Sequence, residues 1–352
     1  GEYMSLEDAM QKAKQNNSNL KNLEDTYSYL QKVRKSVGEN LENEDPSNLG
    51  SNAFPTTGGS NSNGLNLDTM GYLDNSLSML RNIKSTETQL KNQEINKQII
   101  NDSIDLSLIT SVIAIKNTEL SITALEKSIE VGKMNIDNLE SKYKYGMVSE
   151  KDLNSAKTNQ KSLESNLEGL KLNLQTQQNN LKAILGTKKD VNLNIETNVD
   201  YKDLEKINLE QYINKSVAND LSIQIIKNDV AVAQYNLDTN FNAIDKEKTN
   251  LQNLLNSEQR KLNDAQENLE KKIRNAYTNL QTLADKESYL KVSLQNSIDE
   301  YNMAVSNYKA GKITLYQVEQ AKLAVLNAEK ALEENKLSFY STLYTFSKPY
   351  LL

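Results

Sequence analysis

Apolar residues return every seven positions along most of the chain. The clearest row is Leu108, Ile115, Ile122, Ile129, Ile136 and Tyr143. Seven-residue spacing keeps one stripe of a helix facing a partner, so this row predicts a helix from about Asn75 to Tyr145. From Ser149 to Leu185 two rows answer it: Leu153, Leu167, Leu174 and Leu181, and beside them Ala156, Leu163, Leu170 and Ile184. Two seams in phase across a short turn predict an antiparallel coiled-coil hairpin. Gln160 and Gln177 interrupt the second seam, either to fix register or to face a lumen. Nearer the start, Leu6, Ala13, Leu20 and Tyr27, with Leu23, Leu30 and Val37, predict a first helix over 5–37. Ser5 and Asp8 resemble its capping box, and Gly38 permits its stop.

Between the first two helices the pattern fails. Residues 39–74, including ENEDPSNLGSNAFPTTGGSNSNG, are rich in Gly, Ser, Asn and Pro and predict a long loop. Residues 187–208 predict a connector with one short strand over Val191–Ile195. The helical pattern then resumes over 209–240, 245–309 and 314–347, with a turn at Gly311 and Pro349 after the last helix.

The resumption is a repetition. KYKYGMVSEKDLNSAK at 142–157 returns as NYKAGKITLYQVEQAK at 307–322. Leu108, Ile115, Ile129, Ile136, Tyr143 and Gly146 match Ile273, Leu280, Leu294, Tyr301, Tyr308 and Gly311, all 165 positions on. Past the turn, Leu153, Ala156, Leu167 and Leu174 match Val318, Ala321, Leu332 and Phe339, while Glu287 is the one polar break, opposite Ile122. The first helices align at 203 instead, Leu6 with Leu209 and Asn16 with Asn219. The excess is about the length of the 39–74 loop. The chain therefore reads as all-α, a duplicated three-helix unit of long antiparallel hairpins: 1–186 the first repeat, 187–208 a connector, 209–352 the second repeat. In each repeat the two shorter helices together match the long one, whose first example is about 105 Å at ~1.5 Å per residue.

Composition narrows the chemistry. Only 37% of the 352 residues are hydrophobic, which suits long helices with a narrow seam better than a thick core. With no His, Cys or Trp, zinc, thiol, haem and histidine-base chemistry have no groups from those residues. A net charge of -6 with no basic stripe argues against nucleic acid as a partner. No 18-residue apolar run is evident, so no transmembrane helix is expected. The opening GEYMSLEDA carries no leader, so the protein is cytoplasmic or its signal peptide has been removed. GKIT at 311–314 is no phosphate loop, because Ser306 and Ile313 occupy the positions of a required Gly and Ser/Thr. Glu42, Glu44 and Asp45 form a solvated charge run rather than a calcium loop. Tyr340, Tyr344, Phe346 and Tyr350 read as packing at a helical junction ahead of a membrane-interface belt. No cofactor, metal or catalytic residue is expected.

The two turns are the candidate site. A tight stop at a helix end favours a left-handed residue, which Gly146 and Gly311 supply without a Cβ penalty. Ser149 with Asp152, and Thr314 with Gln317, then cap the returning helices. Met147, Val148 and Ile313 are apolar where a narrow tip offers little core, which makes them candidates for binding.

The duplicated arrangement, the tips Tyr143-x-x-Gly146-x-x-Ser149 and Tyr308-x-x-Gly311-x-x-Thr314, and the closing Leu185-Gly186 resemble TolC-type outer-membrane efflux proteins over nearly the whole chain. The resemblance implies a homotrimeric α-helical barrel whose tips meet a membrane-fusion adaptor linked to an ABC-type transporter of the inner membrane. Carried over, Gly146, Met147, Val148 and Ser149 form one docking tip, and Gly311, Lys312, Ile313 and Thr314 the other. Tyr143 and Tyr308 fall near the aperture, and Ile313 stands where the family carries arginine. That family also extends its barrel through the outer membrane with β-strands. Neither 39–74 nor NLDTNFNAIDKEK in the second repeat has the roughly 9–11 alternating residues a membrane strand requires. The expectation is a TolC-like α-barrel protomer without a β-barrel, exported to the envelope of a bacterium lacking a conventional outer membrane. It is non-enzymatic and works in export. The alternative is a structural coiled-coil spacer of the envelope. An adaptor-like hairpin is a third reading, but no block of strands for a lipoyl-like module is present.

Overall fold

The computed structural model describes residues 1–43, 67–197, 201–240 and 243–352. In chain order it runs β1 (Glu2–Tyr3), α1 (Leu6–Asn16), α2 (Ser18–Glu42), α3 (Leu67–Lys144), α4 (Glu150–Leu185) and β2 (Val191–Asn192). A 3-10 turn over Tyr201–Lys206 leads to α5 (Leu209–Asn219), α6 (Leu221–Thr239), α7 (Asp245–Lys309) and α8 (Leu315–Ser347), with a last 3-10 turn over Pro349–Leu351. β1 pairs in parallel with β2, Glu2 opposite Val191 and Tyr3 opposite Asn192. Among the described residues these are the only strands, and they form no closed barrel.

Two differences from the sequence reading have a common cause. The first helix of each repeat is broken, at Asn17 and at Asp220. The Asn17 side chain accepts bonds from the amides of Asn19 and Leu20, and Asp220 accepts from that of Ser222. Side-chain oxygens that take over helix amides start a new helix. Gly38 does not end α2, which continues to Glu42, and α3 begins at Leu67. The predicted 39–74 loop is thus helical at both ends, and residues 44–66, with Glu44 and Asp45, lie outside the described residues.

The chain forms two compact units, each drawing helices from both halves of the sequence. The first comprises Gly1–Asn16, Ser103–Asn208 and Arg274–Lys348. Its core holds Leu108, Ile109, Ile129, Leu153, Leu181, Leu280, Val318, Val325 and Phe339, largely the predicted seam residues. Lys14 of α1 pairs with Asp105 of α3 at 3.0 Å. The α3–α4 hairpin is fixed by Gln160, whose Nε2 donates to the Ile129 carbonyl at 2.8 Å. The α7–α8 hairpin is fixed by Asn335, which donates to the Leu283 carbonyl at 2.9 Å. Gln160 and Glu287 are buried, and Glu287 pairs with Lys291 at 2.8 Å, so neither faces a lumen. Tyr201 packs against Phe339 with ring centroids 4.3 Å apart and planes tilted by 46°, and burial, aided by Glu287 and Glu333, pushes its hydroxyl pKa up to about 12. Phe346 is buried with its ring 6.0 Å from Tyr277, as junction packing requires.

The second unit comprises Asn17–Asp102, Leu209–Ile273 and Pro349–Leu352. Leu20, Leu30, Ile213, Ile223, Ala233, Leu255 and Ile273 make its core. Polar ties join its helices: Tyr27 to Glu94 and Arg34 to Glu87, both at 3.0 Å, and Arg81 to the Thr239 carbonyl at 3.1 Å. The Tyr350 hydroxyl donates to Asp102.

The expectation of no membrane-spanning helix needs one correction. Leu73–Lys144 contains an 18-residue window with a mean hydropathy of 1.3, apolar enough by composition to cross a membrane. Its charged residues are too few to break the window, and α3 is apolar on two faces. Leu108, Ile109 and Val112 of this helix are buried inside the first unit, and a third of the window is buried in all.

Candidate functional site

Both hairpin tips lie in the first unit, and they are built alike. At the end of α3 the Gly146 amide donates to the Tyr143 carbonyl at 3.0 Å and the Met147 amide to the Lys142 carbonyl at 2.9 Å. At the end of α7 the Gly311 amide donates to Tyr308 at 2.9 Å and the Lys312 amide to Asn307 at 2.8 Å. This paired closure satisfies the last carbonyls of a helix and puts its glycine in the left-handed region, where Gly146 has φ 68° and Gly311 φ 71°. Three residues after each glycine a hydroxyl caps the returning helix. Ser149 Oγ accepts from the Asp152 amide at 3.0 Å, and Thr314 forms a reciprocal capping box with Gln317. The spacing Tyr-x-x-Gly-x-x-Ser/Thr is therefore one helix stop joined to one helix start by two linking residues.

The linking residues have almost nothing to pack on. Met147 is 70% exposed, Lys312 is exposed, and Val148 and Ile313 are half-buried against their own turns. Tyr143 and Tyr308 end their seam rows with 43% and 44% of their surface open. The sequence reading missed two apolar residues here. Tyr145 is 81% exposed and Leu315 is 44% exposed. Tyr145 carried a legible signal, because it stands out of phase with the row that ends at Tyr143. Lysines surround these residues: Lys142, Lys144, Lys151, Lys309 and Lys312 outnumber Glu150 and Asp152. An acidic chain thus ends in apolar, basic tips. Among the described residues no group of three or more His, Cys, Asp or Glu side chains is arranged to hold a metal ion.

No protein-family model matches the chain, and no curated protein matches it by sequence. Its fold is shared with solved outer-membrane channels. Against the CmeC channel of Campylobacter jejuni the TM-score is 0.64 at 14% identity, over 98% of this chain and 85% of that one. VceC of Vibrio cholerae matches at 0.60 and 14% identity, over 98% and 94%. The open MtrE channel of Neisseria gonorrhoeae matches at 0.58 and 12% identity, over 98% and 88%. The chain has a TolC-like, all-helical hairpin fold.

Proposed function

We propose that this protein is a non-enzymatic component of a cell-envelope export system, working as the protomer of a trimeric α-helical conduit. Its tips, Gly146–Ser149 and Gly311–Thr314, dock the hairpins of a membrane-fusion adaptor, which couples the conduit to an ABC-type transporter. The observation that carries this reading is the pair of equivalently built tips, the first exposing Met147 at 70% and the second flanked by Tyr308 and Leu315, each 44% exposed. Exposed apolar groups ringed by charge mark contact surfaces. The fold shared with outer-membrane channels supplies the class of partner. The protein acts outside the cytoplasm, after removal of a signal peptide. The missing strand alternation at 39–74 favours an envelope without a conventional outer membrane. Tyr143 and Tyr308, at the tip ends of the seams, are the residues proposed to line the aperture.

The test is photo-crosslinking in living cells from Met147 and from Lys312, with exposed Lys32 as the control position. Capture of an adaptor or transporter subunit well above the Lys32 level is the expected result. Capture of wall polymer instead would replace the conduit with an envelope spacer. Equal capture at all three positions would remove the tips as a docking site. Because lysines flank the tips, adaptor capture should also fall as salt rises through the range where the Debye length shrinks below about 10 Å.

A further inference from the structure

The sequence predicts a strand over 191–195, and within the first unit only its first two residues are paired. The strand pattern nonetheless runs on. Val191, Leu193, Ile195 and Thr197 are half-buried, while Asn192, Asn194 and Glu196 between them are exposed. A two-residue period of this kind marks a strand with one face on a core and the other in water. The Glu2 amide donates to the Asp190 carbonyl at 2.8 Å, and the Met4 amide to that of Asn192 at 3.3 Å. Asp190 and Asn192 therefore turn their backbone toward β1, and alternation turns that of Val191 and Leu193 to the opposite edge. From 193 to 197 no backbone hydrogen bond is made among the described residues.

This segment borders a cavity of about 320 Å³, at the small end of ligand-sized spaces. Val112 of α3 and Leu181 of α4 are buried in its floor, with Ile115 half-buried beside them, and Val191 and Leu193 form a wall. α3 also lines it with Lys116 and Glu119. Glu119 is exposed to water. Lys116 is half-buried and has no ion pair or hydrogen bond among the described residues. Sheet edges are ordinarily blunted by lysine, proline or a covering element, because an open row of amides and carbonyls invites another strand. Residues 191–197 contain neither lysine nor proline.

We infer that this edge takes an extended peptide of a partner protein as a further strand, with apolar residues at alternate positions and an acidic side chain set against Lys116. A peptide backbone is what matches the unpaired row of Val191 and Leu193, as in other cases of strand addition. The apolar floor selects apolar side chains at every second position of such a strand. A half-buried ammonium without a counter-charge selects a carboxylate. Docking here involves neither hairpin tip, so it is tested separately from adaptor capture.

The probe is a short capped peptide that alternates valine with serine and carries aspartate at its central valine position. Added to the full chain at about ten times its Kd, it should slow amide exchange of Val191 and Leu193 about tenfold. Replacing its aspartate with lysine should weaken binding about fivefold, and Lys116→Glu should reverse that preference. The first comparison uses the unaltered chain and stands even where Lys116→Glu fails to fold. Methylating the alternate peptide amides that face the edge should abolish binding, and methylating the other alternate set should not. No binding at about 1 mM peptide overturns the inference, as does binding that leaves exchange over 191–197 unchanged. Equal loss from both methylated sets, or equal affinity for the aspartate and lysine peptides, overturns it too. So would protection of 191–197 that rises with protein concentration in the absence of peptide, which would make the occupant a second copy.

Discussion

Gly132 sits in the middle of α3, where alanine would ordinarily be favoured by about 1 kcal/mol. Here the opposite sign is expected. A Cβ on Gly132 would stand 2.1 Å from Gln160 Oε1 and 3.1 Å from its Cδ, so the glutamine must leave its slot. It then gives up the 2.8 Å bond from Nε2 to the Ile129 carbonyl, in a site where the side chain is only 7% exposed. Stranding a buried amide costs about 1–3 kcal/mol. The helix gain is cancelled or outweighed, and Gly132→Ala should destabilise the α3–α4 hairpin by up to about 2 kcal/mol. In a Gln160→Ala background the slot is empty, and the same substitution should stabilise by about 1 kcal/mol. The reversal amounts to a coupling of about 1–3 kcal/mol between the two positions. Amide hydrogen exchange across α3 and α4 in the four proteins reads local opening without requiring the whole chain to unfold in one step. If Gly132→Ala shifts stability equally in both backgrounds, within about 0.5 kcal/mol, then Gln160 does not lock this hairpin. The register of α3 on α4, and with it the seating of the first tip, would then rest on the seam alone.

Four further outcomes follow from the same geometry. Gly146→Ala meets open space but must hold φ near 68°; left-handed strain of about 1–2 kcal/mol, less about 0.4–1 for the stiffer unfolded chain, leaves a modest loss in thermal midpoint. Gly186→Ala has the same strain at φ 66° and also drives a Cβ to 2.6 Å from Asn16 Oδ1. Asn16 caps the Ala183 carbonyl at 2.9 Å, so the loss should exceed that of Gly146→Ala by about 1 kcal/mol, and Asn16→Ala should abolish the excess. At the α5–α6 break, burial raises the carboxyl pKa of Asp220. The native state therefore holds that proton more tightly than the unfolded chain, and stability falls as pH climbs from the ordinary carboxylate value to the raised one. Asp220→Asn keeps a capping oxygen and should flatten that slope in urea midpoints while raising stability at neutral pH. An unchanged slope would mean that Asp220 titrates alike in both states. Finally, Lys127 and Glu319 are 17% and 23% exposed in their side chains, and a double-mutant cycle should give about 1 kcal/mol, the upper end for pairs still in touch with water.

What the sequence revealed and what it hid divide along one physical line. The heptad rows report a helix's strongest seam, and α4, α7, α8 and the tip end of α3 all fall where those rows place them. The tips were legible because their closure is local: eight residues, 142–149 in the first tip, hold a glycine, two carbonyl partners and a capping hydroxyl. The breaks at Asn17 and Asp220 were missed because the apolar rows run straight through them. Only the side-chain chemistry of Asn-Asn-Ser and Asn-Asp-Leu-Ser marks a restart, and that signal is weak beside seven-residue periodicity. Gln160 and Glu287 were left open to a lumen because a polar residue in a seam looks the same from sequence whether it is wet or bonded. A carbonyl 31 positions away decides it for Gln160.

The second face of α3 shows why one helix row cannot yield an assembly. Ala124 and Val131 are buried, yet neither belongs to the row that predicts the hairpin. Their cover is α8, and the ion pair joining Lys127 to Glu319 spans 192 positions of sequence. Once that contact is known, the repeat offset of 165 shows which counterparts are not packed within the chain. Tyr289 and Val292 are no longer stray surface residues, since their counterparts at Ala124 and Lys127 are partnered. Leu172 is exposed for the same reason that Leu337 is not: α8 meets another helix on that side within the chain, and α4 does not.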